Sequence, residues 1–174
     1  VRQDLSAIID LRNNFRISKS RSMMIKKAKS LSLIIKEGSF YPEFYELLSD
    51  VMRSHNTTPV HSLVELKLLC SRFPDRILLK GAFKNNKLVA ATLLYRFDHV
   101  LHTQYLAASD DGKRMSALDF IISETLNSCG SDVNFMSFGT STTNNGLELN
   151  TGLMFYKESF GARAMALNHY ELIL

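Results

Sequence analysis

The chain has 174 residues, 45% of them hydrophobic and 22% charged, which is enough for one domain with a proper core. It contains no run of roughly 18 apolar residues, so no transmembrane helix is expected. Its start, VRQDLSAIID, lacks the apolar stretch of a signal peptide.

The net charge of +4 hides an asymmetry. Residues 11 to 29 carry Arg12, Arg16, Lys19, Arg21, Lys26, Lys27 and Lys29 with no acid, leaving 14 basic and 17 acidic residues elsewhere. Such an arm suits a phosphate-bearing partner, whether RNA, nucleotide or membrane headgroup. It equally suits a solvated helix joining this domain to another. The sequence does not begin with methionine, which fits a piece of a longer chain. Cys70 and Cys129 lie in apolar helical patterns without CxxC or Cys/His spacing. They read as small buried hydrophobes in a reducing cytoplasm, with neither a disulfide framework nor a metal site expected.

Residues 3 to about 29 are expected to be helical, with a break near Ser18–Ser22. SLIIKE, residues 32 to 37, predicts a short strand. YPEFYELLSDVMRSH follows, with Phe44, Leu47, Leu48, Val51 and Met52 on one helical stripe, and Pro42 stands where a missing N–H is harmless. Ser62 with Glu65 three residues on predicts a capping box, and Phe73-Pro74 ends that helix. RILLKGAF, KLVAATLLYRF and HVLHTQYLAAS are closely spaced strands, which predicts an antiparallel meander. The middle one is apolar on both alternating faces, so helices should cover both sides.

SDDGKRMS is expected to be a turn. Ser116 should cap the next helix with Asp119 as reciprocal partner, and Gly130 should end it in a left-handed cap. VNFMSFG is a strand, TSTTNNG a loop, LELNTGLMFYKESF a short helix and ARAMALNHYELIL the last strand. From residue 33 the order is β-α-α-β-β-β-α-β-α-β, an α/β fold with a mixed central sheet flanked by helices on both faces.

This order resembles the GNAT acyltransferases. Many carry N-x-x-A-x-x-L-Y-x-x-x-G-F before their last strand; here stand Asn150, Tyr156 and Phe160-Gly161, with the Asn-to-Tyr interval one residue short and Phe-Gly in place of Gly-Phe. HTQYLAASDDGKRMSALDFII, FGTSTTNNGLELNTGLMFYKESFGARAMALNHYEL, PVHSLVELKLLCSRFPDRI and KSRSMMIKKAKS are similar to the C-terminal part of Fem-type and polysaccharide-biosynthesis GNAT proteins. The resemblance implies a basic helical segment over residues 1–30, a GNAT-like domain over 31–174, and a second GNAT-like half upstream. It also implies acyl transfer to an amine of a cell-envelope sugar or peptidoglycan precursor, from acyl-CoA (acetyl-CoA) or aminoacyl-tRNA, without a metal. A tRNA donor would engage basic residues 12–29. The rival reading is a non-catalytic GNAT-like domain that binds substrate or supports a partner domain.

In that family the donor's pyrophosphate sits on amides at a strand–helix turn. Here the turn is Gly112, Lys113, Arg114, Met115, Ser116 and Ala117, which does not fit the Q/R-x-x-G-x-G/A signature in any register. An ordinary capped helix is the other reading of these residues. Tyr156 takes the implied role of general acid for the leaving thiolate; a tyrosine that packs its ring and wets its hydroxyl is the alternative.

The strand before the turn holds His99, His102, Gln104 and Tyr105. Strict alternation puts His102 and Gln104 on one face, His99 and Tyr105 on the other. His102 is a candidate general base or a structural histidine. Gln104 and Tyr105 are candidate substrate contacts. So are Ser141 and Asn145, in a loop leaving a strand at its ligand-binding end. GTSTT around Ser141 is not G-x-S-x-G.

Overall fold

The computed structural model describes residues 2–172. In chain order the elements are β1 (Arg2–Asp10), α1 (Lys19–Ser30), β2 (Ile34–Glu37), α2 (Tyr41–Arg53), α3 (Leu63–Arg72), β3 (Ile77–Lys84), β4 (Lys87–Phe97) and β5 (Val100–Ala108). Then come α4 (Asp110–Arg114), α5 (Ala117–Ser128), β6 (Phe135–Thr140), β7 (Thr142–Thr143), β8 (Glu148–Leu149), α6 (Thr151–Glu158) and β9 (Arg163–His169). Seven strands form one sheet in the order β2-β3-β4-β5-β6-β1-β9. Among the described residues β5 and β6 make its one parallel pair, so the sheet is mixed. No described helix is long and apolar enough to cross a membrane.

The meander forms as its pattern predicts. Asn85 and Asn86 turn β3 into β4 with left-handed backbones (φ 50 and 62), a conformation that asparagine tolerates. Ala91 and Leu93 of β4 pack with Phe44, Leu48 and Leu66 beneath α2 and α3. Ala90 packs the other way, with Ala28 of α1 and Ala117 and Ile121 of α5. Helices therefore cover both faces of β4. Full burial of a side chain such as Phe44 contributes about 1.5–3 kcal/mol. Helix α3 opens with the expected box: Ser62 Oγ accepts from Glu65 N, and the Glu65 carboxylate accepts from Ser62 N.

Four expectations are corrected. The helix expected from residue 3 begins only at Lys19, and residues 2 to 10 form strand β1, paired with β6 on one side and β9 on the other. Partners more than a hundred residues away override the local pattern. Residues 2–30 are thus built into the sheet and core rather than appended as a helical segment.

The turn at SDDGKRMS contains the one-turn helix α4, capped by Ser109 Oγ on Gly112 N. Ser116 has a left-handed backbone (φ 52) and makes no side-chain cap, because capping needs the extended backbone that it lacks. Helix α5 ends through Cys129 in an extended conformation, its N–H bonded to Thr125 O, so a left-handed Gly130 is not required.

Candidate active site

Parallel pairing of β5 with β6 ends at His102 and Ser137. Two irregularities sit at that point. On β5, Tyr105 pairs with Leu93 and Thr103 with Leu94, which leaves Gln104 as an extra, bulged residue. On β6, Gly139 is left-handed (φ +70), and its register with β1 slips between Ser6 and Ile8. The bulge also corrects the expected alternation. His102 pairs with Tyr95 and Tyr105 with Leu93, and Leu93 and Tyr95 share a face of β4. His102 and Tyr105 therefore share a face, not opposite ones.

A hollow of about 610 Å³ opens at this splay, lined by Ser6, His102, Gln104, Ser137, Gly139 and Leu167 among others. His102 Nδ1 lies 3.1 Å from Ser137 Oγ, which also accepts from Gly139 N at 3.3 Å. The ring lies against Gly139: a Cβ there would come 3.3 Å from His102 Cε1. The Nε2 atom has no hydrogen-bond partner among the described residues. Burial, and then the charge of Lys157, push the imidazole below its usual range, so it is neutral at pH 7 and able to take a proton.

Lys157 is a buried cation that no sequence motif singled out. It lies on α6 with 3% exposure. Its Nζ donates to Gly139 O at 3.0 Å and Thr140 O at 2.6 Å. An ammonium has three N–H groups, so one donor is left over. No carboxylate pairs with Lys157 among the described residues, and burial pulls its pKa down to about 8. A buried cation without a counter-ion is costly, and such groups concentrate at functional sites. One signal was available. Lys157 falls three residues after the buried Met154, on the inward stripe of α6 where an apolar residue is the rule.

Tyr156 points elsewhere, since successive helical residues diverge by about 100°. Its hydroxyl donates to Asp119 Oδ1 at 3.1 Å, and Asp119 Oδ2 accepts from Arg21 of α1 at 2.7 Å. The Arg21 guanidinium stacks over the Tyr156 and Phe160 rings at 4.5 and 5.1 Å, and its Nε donates to Ser159 Oγ. Burial, and then the Asp119 charge, push the Tyr156 hydroxyl well above its usual range. This network ties α1, α5 and α6 together. Phe160 is fully buried, and Gly161 (φ +95) turns the chain into β9.

The turn Gly112–Ala117 is saturated over most of its length. Gly112 N and Lys113 N are taken by Ser109, Met115 N by Asp111 O and Ser116 N by Lys113 O. Lys113 and Arg114 pair with Asp110 and Asp111. Gly112 is needed for packing, because a Cβ there would lie 2.0 Å from Val89 O. What stays open for an anion is the uncapped N-terminus of α5 at Ala117.

The remaining candidates disperse. Tyr105 is buried under α2 with its hydroxyl 3.2 Å from His61 Nδ1. Ser141 is 1% exposed, and its Oγ has no partner among the described residues. Asn145 is exposed and left-handed, and accepts from Arg2. The structure thus joins His102, Gln104 and Ser137 at one hollow; Lys157 stands behind its wall, bonded to the carbonyls of Gly139 and Thr140, which line it. Of the seven cations in residues 11–29, Arg12, Arg21 and Lys29 are paired with Asp10, Asp119 and Glu124.

The bulged strand, the splayed parallel pair and the element order define a GNAT-like fold. Solved structures agree. FemX superposes with a TM-score of 0.76 at 8% identity, over 94% of this chain and 60% of its own. L-PGS from Bacillus licheniformis gives 0.61 at 13% identity, over 92% and 57%. An aminoglycoside acetyltransferase from an uncultured soil metagenomic sample, in complex with sisomicin, gives 0.57 at 15%, over 84% and 99%. The chain therefore spans about three fifths of FemX and of L-PGS. No family model matches the sequence, and no curated protein matches it.

Proposed function

We propose that the chain is an acyltransferase whose chemistry lies at the β5–β6 splay. The observation that carries this reading is the buried, unpaired Lys157 ammonium with a donor to spare. The acceptor amine gives its proton to His102 Nε2 and attacks the acyl carbonyl. The third Lys157 N–H stabilises the resulting oxyanion. Collapse expels the donor's thiolate or ribose alkoxide, which takes the proton back from His102. Tyr156, held on Asp119, ties α6 to α5 and takes no part in the chemistry.

The occupied amides of Gly112, Lys113, Met115 and Ser116 weigh against a pyrophosphate held there, so aminoacyl-tRNA is the preferred donor over acyl-CoA. Lys19, Lys26 and Lys27, which have no acidic partner among the described residues, supply the charge for it. The Fem-type resemblance supplies the acceptor, an amine of a peptidoglycan precursor or cell-envelope sugar, and a companion GNAT-like half.

The test offers labelled aminoacyl-tRNA and acetyl-CoA separately, with an amine-bearing peptidoglycan precursor, to wild type and Lys157→Met. Transfer that the variant loses supports the reading; equal transfer by both removes Lys157 from the chemistry. The saturated turn also favours the second reading, a GNAT-like domain that binds without catalysing. Precursor binding with no transfer from either donor would select it.

A further inference from the structure

A second hollow, of about 430 Å³, adjoins the one at the splay, since Ile8 of β1 lines both. It brings Arg16, from the loop before α1, together with Arg163, the first residue of β9. Neither guanidinium has a carboxylate within ion-pair reach among the described residues. One acid, Asp10, lines the hollow, and it is already neutralised. Arg12 forks onto its two oxygens at 2.9 and 2.8 Å, and Asn13 Nδ2 adds a bond at 2.9 Å. The fork and the Arg12 charge hold that carboxyl down at about 2. Two uncompensated cations therefore share one cavity, with Asn13 and Asn14 as neutral donors.

The cavity is held in shape by packing. A Cβ on Gly161 would come 3.1 Å from Arg16 O and from Phe15 Cδ2. Ser18 N donates to Ser159 O at 2.8 Å. The loop bearing Arg16 is thus pressed onto the turn that leads into Arg163. Arg163 spends one donor on Ala162 O at 2.9 Å, which leaves the others of its planar fork for an oxyanion. Bringing two guanidiniums together without an anion is unfavourable, and an anion relieves it.

We propose that this hollow is an oxyanion subsite for a phosphate or diphosphate group, with Arg16 and Arg163 as its two cations. A phosphate-bearing acceptor anchored there would lay its amine in the adjoining hollow. That assignment to the acceptor rests on the transfer reading above; the anion binding itself does not.

The probe is inorganic pyrophosphate, titrated calorimetrically into the protein. Binding should weaken about tenfold or more in Arg16→Gln/Arg163→Gln, both exposed positions whose loss leaves the fold intact. It should hold in Lys19→Gln/Lys26→Gln/Lys27→Gln, which removes the other unpaired cations near the arm, and in Lys157→Met. No binding, or equal binding by the Arg16/Arg163 variant, overturns the subsite. Pyrophosphate binding that survives while Lys157→Met transfers like wild type would sink the transfer reading and leave the subsite standing.

Phosphatidylglycerol vesicles form the second arm. The chain should not co-sediment with them at physiological salt. Co-sedimentation that the double arginine variant abolishes would put the phosphate on a lipid and overturn the acceptor assignment.

Discussion

Two buried polar clusters flank α6, one on each side of the Tyr156–Lys157 bond. In the first, Arg21, Asp119, Tyr156 and Ser159 satisfy one another, and both Asp119 oxygens are engaged. In the second, His102 keeps a spare ring nitrogen beside an open hollow, and Lys157, behind the hollow's wall at Gly139 and Thr140, keeps a spare N–H. The closed cluster opposes charge with charge and ends in packed aromatic rings. The open one holds a cation with no anion among the described residues. A complete network fastens elements together; an incomplete one retains capacity for a ligand. Adjacent residues in sequence therefore serve different ends, and substitution can separate them.

The largest effect is expected at Asp119. Asp119→Ala strands Arg21, whose side chain is 13% exposed, and leaves the Tyr156 hydroxyl without an acceptor. Removing one partner of a buried pair costs about 3–5 kcal/mol. For a domain of this size that lowers the unfolding midpoint by roughly 10 °C or more. Thermal unfolding checks it. A drop of only a degree or two would show that the cluster does not hold α1 to α5 and α6.

Lys157→Met should act on the other axis. Transfer should fall about 10²–10³-fold, as loss of an oxyanion donor does. Two carbonyls lose a partner while a buried cation disappears, so stability should move by only about 1–2 kcal/mol. Rate and midpoint measured on the same sample decide the matter. A large loss of stability with normal turnover would make this cluster structural too.

pH sharpens the contrast. A lysine in water titrates at 10.5, and Lys157 in the folded chain at about 8. Between those values the unfolded chain holds a proton that the folded chain has released, so stability from this site rises with pH. The cost of burying the ammonium is full below about 8 and gone above 10.5, amounting to up to about 3 kcal/mol. Wild type should therefore gain stability relative to Lys157→Met as pH climbs through that window; a constant difference would refute it. Transfer should run opposite, falling as Lys157 loses its proton near pH 8, and rising on the acid side through a His102 pKa below 6.5.

What the sequence made legible was local. The capping box at Ser62 and Glu65, the stripe of Phe44 and Leu48, and the Asn85-Asn86 turn each involve neighbours in the chain. β1 was illegible because its pairing partners begin at Phe135 and Arg163, and because its buried Asp4 and Ser6 break the apolar alternation expected of a central strand. Asp4 is tolerated there because Arg2, Thr142 and His169 surround it. His102 and Gln104 were singled out from residue type alone, and they line the same hollow. Which face Tyr105 joins depended on a bulge that no local pattern announces.

The smallest expected effect on turnover is the most discriminating. Tyr156→Phe removes one hydroxyl and keeps the ring beneath Arg21. Asp119 retains Arg21 as partner, so the loss is one hydrogen bond to a charged group, about 1.5–3 kcal/mol, and the Lys157 geometry is untouched. Turnover per folded molecule should stay within about twofold of wild type, since neither hollow loses an atom. The GNAT resemblance implied the contrary, a tyrosine hydroxyl that protonates the leaving group. A fall of about a hundredfold or more with the midpoint nearly unchanged would restore that role. It would also mean that the hydroxyl leaves Asp119 when substrate binds, and that the closed cluster is closed only at rest.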